Sequence, residues 1–440
     1  MSFFLVLNAF LAASCTFIKD VVGYDSGVPL NTFVAKNGRY FPSFVEKFFL
    51  STKTYYRDYP SLAEARADLK MIEVKPLTDG KAPFNEANLS WSADGAYLGY
   101  EVITPRERRI LLKNLVGNYS RDLYIVPKQS HHFLEGMVSR SIFSYNAGLR
   151  WSRDSTRYAF MSNGGTGEYN IYVGAVGSQE KIVAKSNTKD GYATWSPKTN
   201  EIAFVSSRSG GGDIYSIRLN NNEIVRLSDS PSVDIFPEWF ADGKKIVYSS
   251  GNSLNHDLMI LSRKDNKWKK PYRFTDWKMD DLRPTISPNG KLISFYAGGV
   301  ESNGSGGSKW HIYVVPYVEG KTYHRDELSL MKIADNVVVD LNTGPAWSPD
   351  SRKIFYVANE PQKFNPIYGY DLYTGRRFLL DTKTKMNRDI LMSSMGIISF
   401  RAQVGAWDRV FVALTNQGLQ LQNGEKTEVD VMGKIHYIHR

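Results

Sequence analysis

The chain lacks several features that common classes of protein require. Cys15 is its only cysteine, so a disulfide framework within the protein is excluded. The apolar run from Phe3 to Ala13 is too short to cross a bilayer as a stable helix. No G-x-S-x-G sequence occurs, which excludes the nucleophile elbow of α/β-hydrolase enzymes. These absences leave a protein without disulfides, without a spanning helix and without this hydrolase site.

Histidine and basic residues are also too sparse or too scattered to indicate a metal or nucleic-acid site. Of seven histidines, only His131 with His132 and His436 with His439 are near each other, and neither pair has the companion ligands of a zinc motif. The formal net charge of +10 is compatible with anionic partners, but no basic block is dense enough for a nucleic-acid groove. We therefore expect no metal, no cofactor and no nucleic-acid partner.

The N-terminus has the pattern of an export signal. Small residues and Cys15 follow the apolar run, and in bacteria this arrangement resembles the lipobox of exported lipoproteins, whose cysteine carries the lipid. We predict an export or lipoprotein-type signal over residues 1–15, lipid attachment at Cys15 and a location in the periplasm or outer membrane. Cleaved soluble export and a buried N-terminal strand are the alternatives.

Residues 16–75 lack the pattern that fills the rest of the sequence. Ser61 is suited to cap a short helix, because Glu64 stands three residues later and apolar residues follow at helical spacing. We interpret this segment as a partly helical tether.

Most of the remaining sequence repeats one unit. A polar residue stands five places before a tryptophan, an Asp-Gly type of turn follows it, and a strand alternating in Ile, Val, Phe and Tyr comes next. The marker residues, which should pack between neighbouring blades, are Trp91, Trp151, Trp195, Trp239, Ile286 and Trp347. Their intervals are 60, 44, 44, 47 and 61 residues, as expected for four-stranded propeller blades with insertions.

The repeat predicts an all-β fold with a single β-propeller over residues 76–440. The blades should be four-stranded and antiparallel, and six are expected from the markers. The strands after residue 396 lack the full unit and leave seven blades as the alternative.

The polar residue five places before each marker recurs once in every blade. This set comprises Glu86, Asn146, Asp190, Asp234, Asp281 and Asn342. One interpretation is structural: each side chain hydrogen-bonds backbone amides and fixes the crossover between blades. The other is functional: together they form a polar, net acidic channel mouth that binds a partner.

The form D-x-x-P-x-W-S-P-D-G, followed by I-x-F-x-S and D-I-Y, resembles the repeats of TolB-like propellers. The resemblance covers about residues 76–380. It implies a propeller of the bacterial cell envelope that binds a partner protein, such as a membrane-anchored lipoprotein, near the channel mouth. The region before the repeats is shorter than the α/β domain that precedes the propeller in TolB itself.

We therefore expect a non-catalytic, exported interaction scaffold that binds an envelope protein or peptide. One alternative is a carbohydrate-active or glycan-binding propeller that uses Trp268, Trp277 and Trp310. Another is a structural subunit of a larger envelope or appendage assembly.

Overall fold

The computed structural model describes residues 71–78, 83–105, 107–115, 120–123, 144–164, 168–252, 255–299, 309–372 and 374–415. These residues form an all-β propeller, as predicted. The predicted signal, Cys15 and the helix expected after Ser61 lie outside them. No helix among the described residues has the length and apolar character needed to cross a membrane.

The first three blades follow the sequence in order, each with its innermost strand first. Blade 1 contains β2 (Asn85–Trp91), β3 (Tyr97–Ile103), β4 (Glu107–Asn114) and β5 (Ser120–Leu123). Blade 2 contains β6 (Ser144–Trp151), β7 (Arg157–Ser162), β8 (Asn170–Ala175) and β9 (Lys181–Ala184). Blade 3 contains β10 (Asp190–Trp195), β11 (Glu201–Ser206), β12 (Asp213–Arg218) and β13 (Glu223–Arg226).

The next three blades carry short additions, at the outer edge in blades 4 and 5 and between the second and third strands in blade 6. Blade 4 contains β14 (Val233–Trp239), β15 (Lys245–Gly251), β16 (His256–Lys264) and two outer pieces, β17 (Lys267–Trp268) and β18 (Tyr272–Arg273). A separate parallel pair, β19 (Thr275–Asp276) with β23 (Tyr323–His324), precedes the short helix α1 (Arg325–Leu328). Blade 5 contains β20 (Asp280–Ile286), β21 (Leu292–Gly299), β22 (Lys309–Pro316) and β24 (Lys332–Ala334). Blade 6 contains β25 (Ala346–Trp347), β26 (Lys353–Val357), β27 (Ile367–Asp371) and β28 (Arg376–Leu380), with a 3-10 turn at Pro361–Lys363.

The last blade combines both ends of the described residues. Its strands are β29 (Lys385–Met392), β30 (Ile397–Val404), β31 (Trp407–Thr415) and β1 (Met71–Pro76), and β1 pairs antiparallel with β31 as the outermost strand. The described residues therefore form seven blades. The preferred count of six is corrected to seven, the alternative that the sequence left open. The predicted boundary at residues 75 and 76 falls inside β1, so the propeller begins at least five residues earlier.

The seventh blade keeps a weakened form of the repeat. Met392 occupies the marker position at the end of β29, and Asn387 stands five residues before it. Gly396, with a φ of 75°, supplies the tight turn after the marker. Methionine in place of tryptophan hides this blade from a search that depends on the tryptophan.

The hydrophobic core is divided into layers between successive blades. Six clusters of buried side chains each join two neighbouring blades, from blades 1 and 2 to blades 6 and 7. Blades 7 and 1 are joined by hydrogen bonds from Trp91 Nε1 to Ser399 Oγ at 2.8 Å and from Val410 N to Glu86 Oε2 at 2.7 Å. The ring is thus held together at each junction between neighbouring blades.

Candidate functional site

Five of the six polar residues that precede the markers by five places lie at the starts of the innermost strands, whereas Asn342 precedes β25 by four residues. Glu86, Asn146, Asp190, Asp234 and Asp281 are no more than 1% exposed, whereas Asn342 is partly exposed. Burial raises the pKa of Glu86, Asp190 and Asp234, and it raises that of Asp281 well above the usual aspartate value. These side chains therefore face the protein interior.

Hydrogen bonds of Asn146 and Asp281 connect their blades to the one before. Asn146 Nδ2 donates to the carbonyl of Arg108, on the third strand of blade 1, at 3.2 Å. Asp281 Oδ2 accepts from Thr275 Oγ1 at 2.6 Å, and Thr275 Oγ1 accepts from Leu258 N, on the third strand of blade 4, at 2.8 Å. These contacts support the crossover-fixing role. Partner binding by the six residues stays a prediction.

The marker tryptophans also contact the preceding blade. Trp195 Nε1 donates to the Arg150 carbonyl at 3.1 Å, and Trp347 Nε1 donates to Thr285 Oγ1 at 3.2 Å. Ile286, which replaces tryptophan in blade 5, packs against the cluster between blades 4 and 5. In these two markers the indole N–H is thus a link between blades, whereas the buried Nε1 atoms of Trp151 and Trp239 have no hydrogen-bond partner among the described residues. Isoleucine at the same position keeps only the apolar contact.

A bulge interrupts the innermost strand at an equivalent place in six of the seven described blades. The pairing register of innermost and second strands shifts just before the marker in blades 1 to 5 and in blade 7. The residue three places before the marker has a positive φ, between 49° and 78°, in every blade: Asn88, Gly148, Tyr192, Phe236, Arg283, Gly344 and Asp389. Left-handed backbone is costly for side chains as large as tyrosine, phenylalanine and arginine, and bulges commonly re-aim side chains at functional rims.

These bulges surround a cavity on the ring axis. The cavity has a volume of about 370 Å³, and residues from all seven blades or the loops that enter them line it. It lies toward the crossover face, which we define as the face where the polypeptide passes from one blade to the next. Six of its lining residues are ionisable: Glu101, Arg108, Arg150, Arg283, Asp340 and Asp389.

Two arginines from separate blades meet in this cavity. Arg150 of blade 2 donates through Nη2 to the carbonyl of Asn342, across the ring, and through Nη1 to the Leu149 carbonyl at 2.8 Å. Arg283 of blade 5 donates to the same Asn342 carbonyl through Nε at 3.1 Å and Nη2 at 2.7 Å. Burial, together with the like charge of Arg283, lowers the pKa of Arg150 to about 10, so Arg150 remains charged at neutral pH.

A short turn places the Asn342 carbonyl on the axis. Asp340 Oδ1 accepts from Asn342 N at 2.8 Å and from Thr343 N at 3.2 Å, and the Asp340 carbonyl accepts from Gly344 N at 2.9 Å. The carboxylate of Asp340 is therefore used to hold the turn, as in an Asx motif.

The other two acids of the cavity have partners of their own. Glu101, fully buried, forms a salt bridge with Arg108 and accepts from Gly148 N at 2.8 Å. Asp389 pairs with Arg401 Nε at 2.8 Å. Burial, with the negative charge of Asp340 as the next cause, raises the pKa of Asp389 to about 7.

Aromatic and aliphatic side chains form the rim. Tyr192, 52% exposed, packs edge-on against the buried ring of Phe236, with 4.9 Å between ring centroids. The Arg283 guanidinium lies 5.7 Å from the centroid of the same Phe236 ring. Leu341, 42% exposed, lies on the turn that carries Asn342. The cavity therefore offers cationic donors inside and apolar surface at its mouth.

Of the six predicted partner-binding residues, only Asn342 lines this cavity. The residues that line it from the innermost strands, including Arg150, Tyr192, Phe236 and Arg283, stand one and three places before the markers. A comparison of those two positions across the repeats would have found them, because charged and aromatic residues occur there in place of the alternating apolar pattern.

The tryptophans named for glycan binding are engaged within the protein. Trp268 packs on Trp239 at 5.8 Å between centroids, Trp277 Nε1 donates to Asp281, and Trp310 packs against the cluster between blades 5 and 6. Within the described ranges, no three His, Cys, Asp or Glu side chains converge as metal ligands.

Comparison with known proteins identifies the repeat. Residues 136–306 match the family model for the TolB beta propeller domain. Over these residues the protein is similar to the TolB-like β-propellers. No curated protein matches the sequence.

Solved structures similar to this protein have diverse functions. TolB from Acinetobacter baumannii is 14% identical with a TM-score of 0.42, over 76% of the present sequence and 65% of its own. Oligogalacturonate lyase from Vibrio parahaemolyticus is 10% identical with a TM-score of 0.51, over 79% and 97%. A puromycin-hydrolyzing peptidase from Mycobacterium tuberculosis is 11% identical with a TM-score of 0.51, over 73% of the present sequence and 49% of its own. At these identities the two scores of 0.51 establish the propeller fold and leave function to the site.

Proposed function

We propose that the protein is a non-catalytic, exported propeller that acts as a protein–protein interaction scaffold in the bacterial cell envelope. Its partner is an envelope protein or peptide, with a membrane-anchored lipoprotein as one candidate, and it binds at the channel mouth on the crossover face. The proposal includes residence in the periplasm or outer membrane and, for the anchored form, a lipid on Cys15.

The observation that carries this proposal is the cavity on the ring axis. Seven blades contribute to it, and exposed apolar side chains, Tyr192 and Leu341, stand at its mouth next to arginine donors. Apolar anchors ringed by polar groups are typical of protein-binding surfaces, in which tyrosine and arginine are enriched. The TolB-like repeat supports the same interpretation. Glu86, Asn146, Asp190, Asp234, Asp281 and Asn342 contribute to it by holding the crossovers that shape the mouth.

Site-specific photo-crosslinking in bacterial cells tests the proposal. A photoreactive amino acid is placed at Tyr192 or Leu341, and at Leu379 as the matched control. Leu379 is 56% exposed on β28, the outermost strand of blade 6. We expect one discrete adduct at the two mouth positions, identified by mass spectrometry, and none at Leu379.

Equal patterns at all three positions would refute partner binding at the mouth. A specific glycan bound on an array, with no protein adduct, would favour the glycan-binding alternative. Mass spectrometry of the mature N-terminus decides anchoring separately, since a lipid-modified Cys15 has a characteristic mass.

A further inference from the structure

The two cavity arginines have more donors than the protein supplies with acceptors. The carbonyl oxygen of Asn342 has two lone pairs and receives three N–H groups from Arg150 and Arg283. Each guanidinium carries five N–H donors, and only one further acceptor, the Leu149 carbonyl, lies within hydrogen-bond distance of either among the described residues. In the same set of residues, the buried Nδ2 of Asn342 also has no hydrogen-bond partner.

The electrostatics of the pair are also incompletely balanced. Among the residues that the structure describes, the carboxylate that pairs with either guanidinium is that of Glu238, whose Oε2 lies 3.8 Å from Arg283 Nη1, beyond hydrogen-bond distance. Glu101, Asp340 and Asp389 are held by partners of their own. A neutral carbonyl thus sits where two cations meet, and the remaining N–H groups of both guanidinium groups are left for a negatively charged ligand.

The surroundings of Arg283 are built to hold this geometry. Arg283 has a φ of 53° and is 5% exposed. A Cβ on Gly344 would lie 3.0 Å from Arg283 Cγ and 2.6 Å from Thr285 Cγ2, so glycine leaves the space into which the arginine packs. Strained backbone is retained where the surrounding structure fixes it, which is frequent at ligand-binding positions.

We propose that the cavity binds a carboxylate between Arg150 and Arg283, with Asn342 Nδ2 as a third donor. The carboxylate belongs to a peptide segment of the partner, either an acidic side chain or a free C-terminus, and this identity of the carrier rests on the function proposed above. Arginine presents parallel N–H groups that match the two oxygens of a carboxylate. Tyr192 and Leu341 then contact the residues that flank the carboxylate.

Titration with defined probes tests the proposal on the full-length protein. Glutarate is compared with the uncharged glutaramide. The peptide acetyl-Ala-Asp-Ala-amide is compared with acetyl-Ala-Ala-Ala bearing a free C-terminus. Binding is followed by the ¹⁵N resonances of arginine Nε. We expect glutarate to bind with saturation, glutaramide not to bind, and one peptide to bind more tightly than the other, which identifies the source of the carboxylate.

Variants locate the site. Arg150→Gln and Arg283→Gln should each weaken glutarate binding by about tenfold or more, in the range of a lost charged hydrogen bond, whereas Arg376→Gln on the exposed outer strand of blade 6 should not. Arg150→Lys keeps the charge and loses the paired N–H groups, so it should weaken binding while the protein stays folded.

Equal binding of glutarate and glutaramide, no saturation with any probe, or unchanged affinity in both glutamine variants and in Arg150→Lys would overturn the proposal. The photo-crosslink separates the two proposals. A Tyr192 adduct without glutarate binding leaves the scaffold function and removes the carboxylate site. Glutarate binding without any adduct leaves the carboxylate site and removes the partner protein.

Discussion

Asp281→Asn tests whether the polar residues of the crossovers act on stability through burial. Asp281 is fully buried, and its carboxylate accepts from Thr275 Oγ1 at 2.6 Å and from Trp277 Nε1 at 2.9 Å. Asparagine can still accept from Trp277. If its NH2 group takes the place of Oδ2, the Thr275 hydroxyl hydrogen loses its acceptor, because an amide N–H group cannot accept. The variant should therefore lose one hydrogen bond, worth about 1 kcal/mol of unfolding free energy.

The difference in unfolding free energy between wild type and Asp281→Asn should change with pH in one direction. Burial raises the pKa of Asp281 in the folded state well above its usual value, so the folded protein holds this proton more tightly than the unfolded polypeptide does. This contribution to stability is fully present below the unfolded pKa of about 4 and is lost as pH rises through the folded pKa. Asparagine does not titrate. The wild-type advantage over the variant should therefore shrink as pH rises from about 4, by at most about 1.4 kcal/mol per pH unit.

Urea unfolding followed by tryptophan fluorescence, between about pH 4 and 8, measures both effects. Asp154→Asn is the matched control. Burial raises the pKa of Asp154, but hydrogen bonds from Ser152 and Thr156 outweigh it and hold that pKa below the usual value. The difference between wild type and this control should therefore be constant above about pH 4. An Asp281→Asn difference that stays constant or widens with rising pH would refute the reasoning.

Three further changes test the ring. Relative to deletion of residues 1–70, which leaves β1 in place, deletion of residues 1–76 removes β1 and should cost about 3 kcal/mol or more in unfolding free energy; equal melting of the two would contradict closure by β1. Gly344→Ala should cost about 1–3 kcal/mol more in unfolding free energy than Gly290→Ala. Both glycines have positive φ, but of the two only Gly344 has described neighbours within 4 Å of an added Cβ. Equal thermal shifts in the two variants would count against this packing. Trp195→Phe should cost about 1 kcal/mol or more beyond any loss of packing, since it removes the bond to the preceding blade, and an unchanged urea midpoint would argue against that bond.

The sequence predicts the propeller because the residues that define each blade are close together in the sequence. Marker, turn and alternating strand lie within a few residues of one another, so six blades can be located without any long-range information. The preferred count misses the seventh blade for a local reason, since Met392 replaces the tryptophan. The role of β1 is not predicted, because its partner β31 lies at the other end of the described residues. No pattern within Met71–Pro76 identifies which strand it will join.

The cavity is harder to predict than the fold. The recurring acidic and amide side chains are predicted to bind a partner, but most of them are buried in the structure. Regular spacing indicates a shared role and does not indicate which way a side chain faces. The bulge just before each marker reverses the alternation of side chains between the two faces of the strand. It thereby brings Arg283 and Tyr192 to the ring axis. A strand assumed to be regular would misassign both.

The pairing of β1 with β31 also bears on how the protein is made. Ribosomal synthesis proceeds from the N-terminus, so β1 emerges long before the segment it must hydrogen-bond. Intermediate blades can condense on their predecessors as they appear, but the backbone groups of the earliest strand stay bonded to water until nearly everything else has been translated. β1, the first strand to be synthesised, is thus the last to pair with its neighbour in the sheet.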